Sequence, residues 1–282
     1  MSGVQQRPEV SVIIPAYNRF ELLKEAVSTV MRQSFNNFEL IVVDDGSSDM
    51  TPTISLYYKD DPRFRYFRIE HNGMPGYVRN IGVHKAAAPY IAFLDSDDLW
   101  MRDKLKKQMQ FLQASPGIPI VHSRERWIRN GEEVSQKKQK HKRSGMIFDD
   151  ALIKCIIGPS TVILEKELFD KAGGFREDLE VAEDYELWLK ITDTTEVGYI
   201  DEPLITKRAG HGEQLSEKYG HIEIFRITAL MNLVEEGFFT DEHQKAARKE
   251  LSRKCRIYAA GCRKRERYNE ALEYEELSRQ FA

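Results

Sequence analysis

Cysteine is scarce in this 282-residue chain, which has only Cys155, Cys255 and Cys262. Their odd count, with no CxxC or Cys/His spacing, argues against a disulfide framework and against a thiolate metal site. A reducing, cytoplasmic setting is the expectation. Long apolar runs are also missing: nothing approaches the roughly 18 residues of a membrane span, and the opening MSGVQQRPEV has no signal-like stretch. Membrane association is therefore expected to be peripheral, at the inner face. Charge of one sign is lacking too, since the formal net charge is -3, so nucleic acid is not an expected partner.

What is present is an ordinary globular composition, 41% hydrophobic and 31% charged. The length suits one large domain, or one domain plus an extension. Over the first hundred or so residues, short apolar runs alternate with helical patterns, the signature of a mainly parallel α/β sheet flanked by helices. Residues 10–14, 38–43, 65–69 and 90–94 read as strands, and residues 78–87 as a helix. Asn18 with Glu21 resembles a capping box for a helix carrying Leu22, Leu23, Ala26, Val27 and Val30. Further on, residues 118–122 and 160–164 are strand-like, and Asn130-Gly131 reads as a tight turn. The KKQKHKR run within residues 136–144 reads as a basic loop. From about Lys218 the chain turns helical, so residues 1–212 are expected to form the catalytic domain and 213–282 a helical extension.

Ligands of open parallel sheets bind beyond the carboxyl ends of the strands. Here the first strand runs into Pro15-Ala16-Tyr17-Asn18, the second into Asp44-Asp45-Gly46-Ser47-Ser48-Asp49, and the fourth into Asp95-Ser96-Asp97-Asp98. Five carboxylates from two strands would converge on one rim and repel one another unless protons or a cation intervened. Oxygen ligands without cysteine suit Mg2+ or Mn2+, which keep one or two carboxylates and complete their shell with water and phosphate oxygens. A phosphate compound is the expected partner. Asp and Ser are also common turn formers and caps, so either acidic motif alone would carry little.

Taken together, residues 10–18, 39–47 and 93–98, Arg79-Asn80 with Gly82, and Gly173-Gly174-Phe175 followed by Glu183-Asp184 resemble the inverting family 2 glycosyltransferases, which have the GT-A fold. The resemblance spans about residues 8–211. It implies that Pro15, Ala16 and Tyr17 lie beneath a nucleotide base, with Tyr17 stacking and Asp45 or Asp44 accepting a hydrogen bond. Arg79 would approach the base or diphosphate, and Asp95 with Ser96 the ribose or sugar. Asp97 would ligate the metal, with His211 as a further contact, and Asp184 would be the catalytic base. Glu183, Gly158 and Ser160 are candidates for the acceptor side. The implied donor is a UDP-sugar and the implied acceptor a surface glycan or lipid-linked sugar.

Physical chemistry fits those roles. Charge grows on a departing diphosphate, and a cation with a guanidinium stabilises it, while the acceptor hydroxyl needs a carboxylate to take its proton. A sugar-phosphate nucleotidyltransferase is a rival, but no Gly-rich, Arg/Lys-containing loop lies near the N terminus. A non-catalytic nucleotide-sugar-binding scaffold is the other rival. Glu183 and Asp184 would also serve as first-turn acids of a helix without chemistry. Trp100, Trp127 and Trp188 suit sugar stacking or core packing, and core packing is the expectation for Trp188. In the tail, ten basic residues between Lys245 and Arg267 against Glu250 and Glu266 suggest an anionic membrane surface. The stripe Leu251, Cys255, Tyr258, Ala259 and Cys262 favours packing on Ala271, Leu272 and Leu277, or a homodimer contact.

Overall fold

The computed structural model describes residues 7–135, 143–210 and 222–282. Its first part is β1 (Val10–Ala16), α1 (Phe20–Met31), β2 (Phe38–Asp44), α2 (Ile54–Tyr57), β3 (Phe64–Arg68), α3 (Pro75–Lys85) and β4 (Tyr90–Phe93). These strands stand in the parallel order β3-β2-β1-β4. The second part supplies β5 (Leu99–Trp100), α4 (Lys104–Ala114), β6 (Ile120–Arg129), β7 (Glu132–Val134), α5 (Phe148–Ile153), β8 (Ile163–Glu165), α6 (Lys166–Lys171), α7 (Glu183–Thr192) and β9 (Gly198–Ala209). β8 continues the sheet antiparallel to β4. β6 then pairs with β8, and β9 lies parallel to β6. Asn130 and Gly131 both have positive φ, 51° and 84°, and close the β6–β7 hairpin as its twist requires.

Alternation along β1 sorts the core. Val10, Val12 and Ile14 face Leu23, Ala26, Val27 and Val30 of α1, while Ile13 faces the opposite layer with Val83 of α3. Gly82 is required there, because a Cβ on it would stand 2.4 Å from Ile13 Cγ2. α3 starts three residues earlier than its apolar pattern suggests, since Pro75 begins the first turn, where its missing N–H costs nothing.

The expected Asn18/Glu21 capping box does not form. Asn18 takes φ 48° and its Oδ1 accepts the N–H groups of Ser48 at 2.8 Å and Asp49 at 3.3 Å. Asp49 Oδ2 in turn accepts the N–H of Phe20 at 3.2 Å. The cap of α1 thus comes from the loop after β2, and the two loops are latched together.

The C-terminal helices α8 (Glu223–Glu235), α9 (Asp241–Lys264) and α10 (Tyr268–Gln280) share one apolar cluster with α5 and α7, through Leu152, Tyr185, Leu230, Leu251 and Cys255. Ala271 is buried against α9 as the stripe suggests, but Leu272 points outward, 54% exposed. Much of the basic excess expected to face a membrane is neutralised internally. Lys254 is buried between Glu223 and Glu250, and Arg253, Arg263 and Arg267 pair with Glu250, Glu275 and Glu270. Among the described residues no helix is long and apolar enough to cross a membrane. The basic loop at 136–142 and the expected boundary near 212 lie outside the described residues.

Candidate active site

The two acids after β2 are held by their own loops. Buried Asp44 accepts the Ser47 N–H at 2.9 Å and the Tyr66 hydroxyl, and burial, reinforced by the hydrogen bond to Asp44 and its charge, pushes the Tyr66 phenol up. Asp45 accepts the N–H groups of Asn72 and Gly73 at 2.8 and 2.9 Å and pairs with His71 Nδ1 at 2.9 Å. Tyr17, 42% exposed, stacks on the His71 ring at 4.1 Å. A base bound against Tyr17 would therefore meet a preformed Tyr17–His71–Asp45 assembly. Pro15 and Ala16 run alongside Val43 and Asp44 of β2.

After β4, each carboxylate has a different environment. Asp95 accepts from Arg79 Nη2 at 2.7 Å; burial alone would raise its pKa, but Arg79, Lys207 and Arg19 outweigh it and hold the group low. Asp97 is buried and pairs with Arg19 at 2.9 Å. Asp98 is buried and accepts from the Ser160 hydroxyl at 2.7 Å and the Arg208 N–H at 3.2 Å. Its carboxyl is pushed up to about 8 by burial and by Asp95 and Asp97, despite Lys207. Ser96 is buried between them.

The expected five-carboxylate cluster is not formed: among the described residues no three His, Cys, Asp or Glu side chains stand close enough to hold one ion. β1 lies between β2 and β4, which keeps the two acidic loops roughly 10 Å apart at the sheet's strand spacing. Any cation here would have to draw most of its oxygen ligands from outside the protein.

Arg79 joins the β4 loop to α7. Its guanidinium is buried, reaches Asp95 and, at 2.6 Å, Glu183, and lies over the Phe175 ring. Glu183 is pushed up to about 7 by burial, with Arg79 opposing and Asp184 reinforcing. Asp184, less buried, accepts the Tyr185 N–H at 2.7 Å and lies 3.5 Å from Cys155 Sγ. Asn80 positions the segment before α7 by donating to Phe175 O and accepting the Phe175 N–H, and Gly173 and Gly174 turn the chain there with φ 80° and 70°.

The family model described as Glycosyl transferase family 2 matches residues 11–173. The chain belongs to glycosyltransferase family 2. An uncharacterized glycosyltransferase of Rickettsia felis is 35% identical over 204 residues, which is 72% of this chain and 33% of that protein. The chain thus spans about a third of the length of that relative. The putative teichuronic acid biosynthesis glycosyltransferase TuaG of Bacillus subtilis is 36% identical over 162 residues, covering 57% of this chain and 64% of it. WfgD of Escherichia coli, named a UDP-Glc:alpha-D-GlcNAc-diphosphoundecaprenol beta-1,3-glucosyltransferase, is 31% identical over 192 residues, 68% of this chain and 73% of its own. In fold the chain resembles S. aureus TarS in complex with UDP, with TM-score 0.67 at 22% identity, covering 89% of this chain and 72% of that one. It also resembles the mannosyltransferase PcManGT of Pyrobaculum calidifontis in complex with GDP-Man and Mn2+, with TM-score 0.64 at 18% identity over 98% and 84% of the two chains.

The family 2 site contains groups that the motifs did not flag. Arg19, Lys207 and Arg208 bring positive charge to the Asp95–Asp98 loop, Arg208 also donating to the Asp97 carbonyl. A basic pair ending a strand was the only signal available for the last two. Ser160, an acceptor-side candidate, is buried and braces the loop: it accepts the Asp95 N–H, donates to Asp98, and its carbonyl accepts from Trp100 Nε1. Gly158 lies beside Glu125. Glu183 is buried and paired with Arg79. His211 lies outside the described residues.

Proposed function

We propose that this family 2 chain transfers a sugar, with inversion, from a nucleoside-diphosphate donor of the UDP-sugar type to a hydroxyl of a glycan or lipid-linked acceptor. The observation that carries this reading is the Asp95–Arg79–Glu183 bridge, which fixes the acidic loop of the donor side against the helix start that presents Asp184. One rigid link then sets the distance between leaving group and base, as direct displacement needs.

In this reading the acceptor oxygen attacks the anomeric carbon as the bond to the diphosphate oxygen breaks, and Asp184 removes the hydroxyl proton. One displacement inverts the centre. Asp45, Tyr17 and His71 bind the base, and Asp95 the donor's ribose or sugar. The donor set fits a divalent cation with few protein ligands. Asp97, which pairs with Arg19, would supply the protein ligand, and phosphate oxygens and water would complete the shell. When bound, Mn2+ or Mg2+ supplies neutralisation of the charge that builds on the diphosphate. The names of the Bacillus and Escherichia relatives favour a surface-polysaccharide acceptor, used at the cytoplasmic face. Peripheral membrane contact would use Lys245, Lys249, Arg256, Lys264 and Arg265, which with Arg248 and Arg279 are exposed basic residues of the tail that form no ion pair among the described residues.

The test is a panel of nucleotide sugars, scored for binding and for acceptor-free diphosphate release with and without Mn2+, in wild type and Asp97→Asn. The reading expects one donor class to bind and hydrolyse with metal, and both properties to collapse in the variant. Full activity of Asp97→Asn rejects the metal assignment; absence of any nucleotide-sugar binding rejects the activity.

A further inference from the structure

Glu125 and Trp127 lie two residues apart on β6 and share a face of the strand. Trp127 is the register partner of Lys207 on parallel β9, and the Lys207 ammonium lies 5.5 Å from the indole centroid. Glu125 Oε1 accepts the indole N–H at 2.7 Å and so fixes the rotation of the ring. The other two tryptophans are core residues, Trp100 and Trp188 being 4% and 2% exposed, whereas Trp127 keeps part of its surface accessible.

This group adjoins the acidic loop. The residue after Lys207 donates its N–H to Asp98, and a methyl group at Gly158 would stand 3.4 Å from Glu125 Oε2. Burial would discharge Lys207, but Asp98, Glu125, Asp95 and Asp184 outweigh it and keep the ammonium charged. Among the described residues none of these acids forms a direct ion pair with it, so its N–H groups remain available to a ligand. An anionic ligand would face the acids Glu125, Asp95 and Asp184, with the Asp98 carboxyl, pushed up to about 8, beside them. A flat, uncharged ring rich in hydroxyls meets complementary chemistry: aliphatic C–H groups against the indole, hydroxyl protons to Glu125, hydroxyl oxygens from Lys207.

We propose that Glu125, Trp127 and Lys207 form the subsite for the acceptor's terminal sugar, an uncharged pyranose stacked on Trp127 with its nucleophilic hydroxyl toward Asp184. This rests on the glycosyl-transfer reading above, and its test separates the two. Methyl pyranosides are titrated against the full chain with UDP and Mn2+ present, reading protection of Trp127 fluorescence from acrylamide. With the hydrolysed donor, transfer to the same pyranosides is then followed in wild type, Trp127→Phe, Trp127→Ala and Lys207→Met. The expected result is saturable protection by one pyranoside, an acceptor KM raised about 10-fold or more in Trp127→Ala and less in Trp127→Phe, and a smaller change in donor KM. Lys207→Met should raise acceptor KM likewise. Lack of protection by every pyranoside overturns the subsite. So does an unchanged acceptor KM in Trp127→Ala, or a donor KM that rises in step with it. If no nucleotide sugar binds, the transfer reading fails while the quenching measurement still decides whether a sugar binds here.

Discussion

Replacing Arg79 by methionine should separate the two halves of the site more cleanly than any other substitution. Its guanidinium holds Asp95 at 2.7 Å and Glu183 at 2.6 Å in a buried setting. Methionine preserves much of the stem's packing but strands two carboxyls in low dielectric. Removing one member of such a buried group costs about 3–5 kcal/mol, which for a chain of this size is roughly 5–8 °C in Tm. The pH dependence has a definite sign. Glu183, already pushed up to about 7, loses the one cation opposing its burial and rises further. A carboxyl raised in the folded state contributes stability below its unfolded pKa and loses it as pH rises through the folded value. Asp95, now held low by Arg79, contributes at neutral pH in wild type only and loses that contribution in acid. The Glu183 effect narrows the gap between variant and wild type as pH falls from about 7 toward about 5, and the loss of the Asp95 contribution in wild type narrows it further only below the ordinary carboxylate range. Urea unfolding at stepped pH measures it, and Arg79→Met/Glu183→Gln should recover part of the loss, since the sites are coupled. A variant within about 1 kcal/mol of wild type at pH 7, or a gap that widens in acid, would refute the bridge as a structural lock.

Asp184→Asn should cut transfer by about 100-fold or more, with donor and metal affinity nearly intact in titrations; a parallel loss of donor binding would assign Asp184 to structure instead. Lys104 is fully buried, donates to Gln108 at 2.6 Å and sits over Trp100, and burial drives its pKa far down. A lysine lowered in the folded state contributes stability at alkaline pH and loses it as pH falls, so Lys104→Met should stabilise by roughly 1 kcal/mol or more at pH 7. Denaturant midpoints should show that gain shrinking toward pH 10; a destabilised variant at pH 7 would show that the Gln108 contact outweighs the burial.

The parallel half of the fold is written in local pattern. Apolar runs of strand length, helical spacing from Leu22 to Val30, and chiral crossover between them leave few arrangements for β1 to β4. The acidic loops follow, because residues after a parallel strand must emerge at its carboxyl end. The type of site was legible for that reason. Partners were not. Asn18 caps a loop thirty residues away instead of its own helix, Arg79 reaches across to Glu183, and Lys254 is buried among acids although its neighbours read as a basic surface. Such pairings depend on which strands and helices lie side by side, and chain distance carries no record of that. Trp127 and Lys207 show the limit most sharply. Their contact requires β6 and β9 to pair across register shifts at Ser123–Glu125, and a slip of one residue would send one of them to the opposite face.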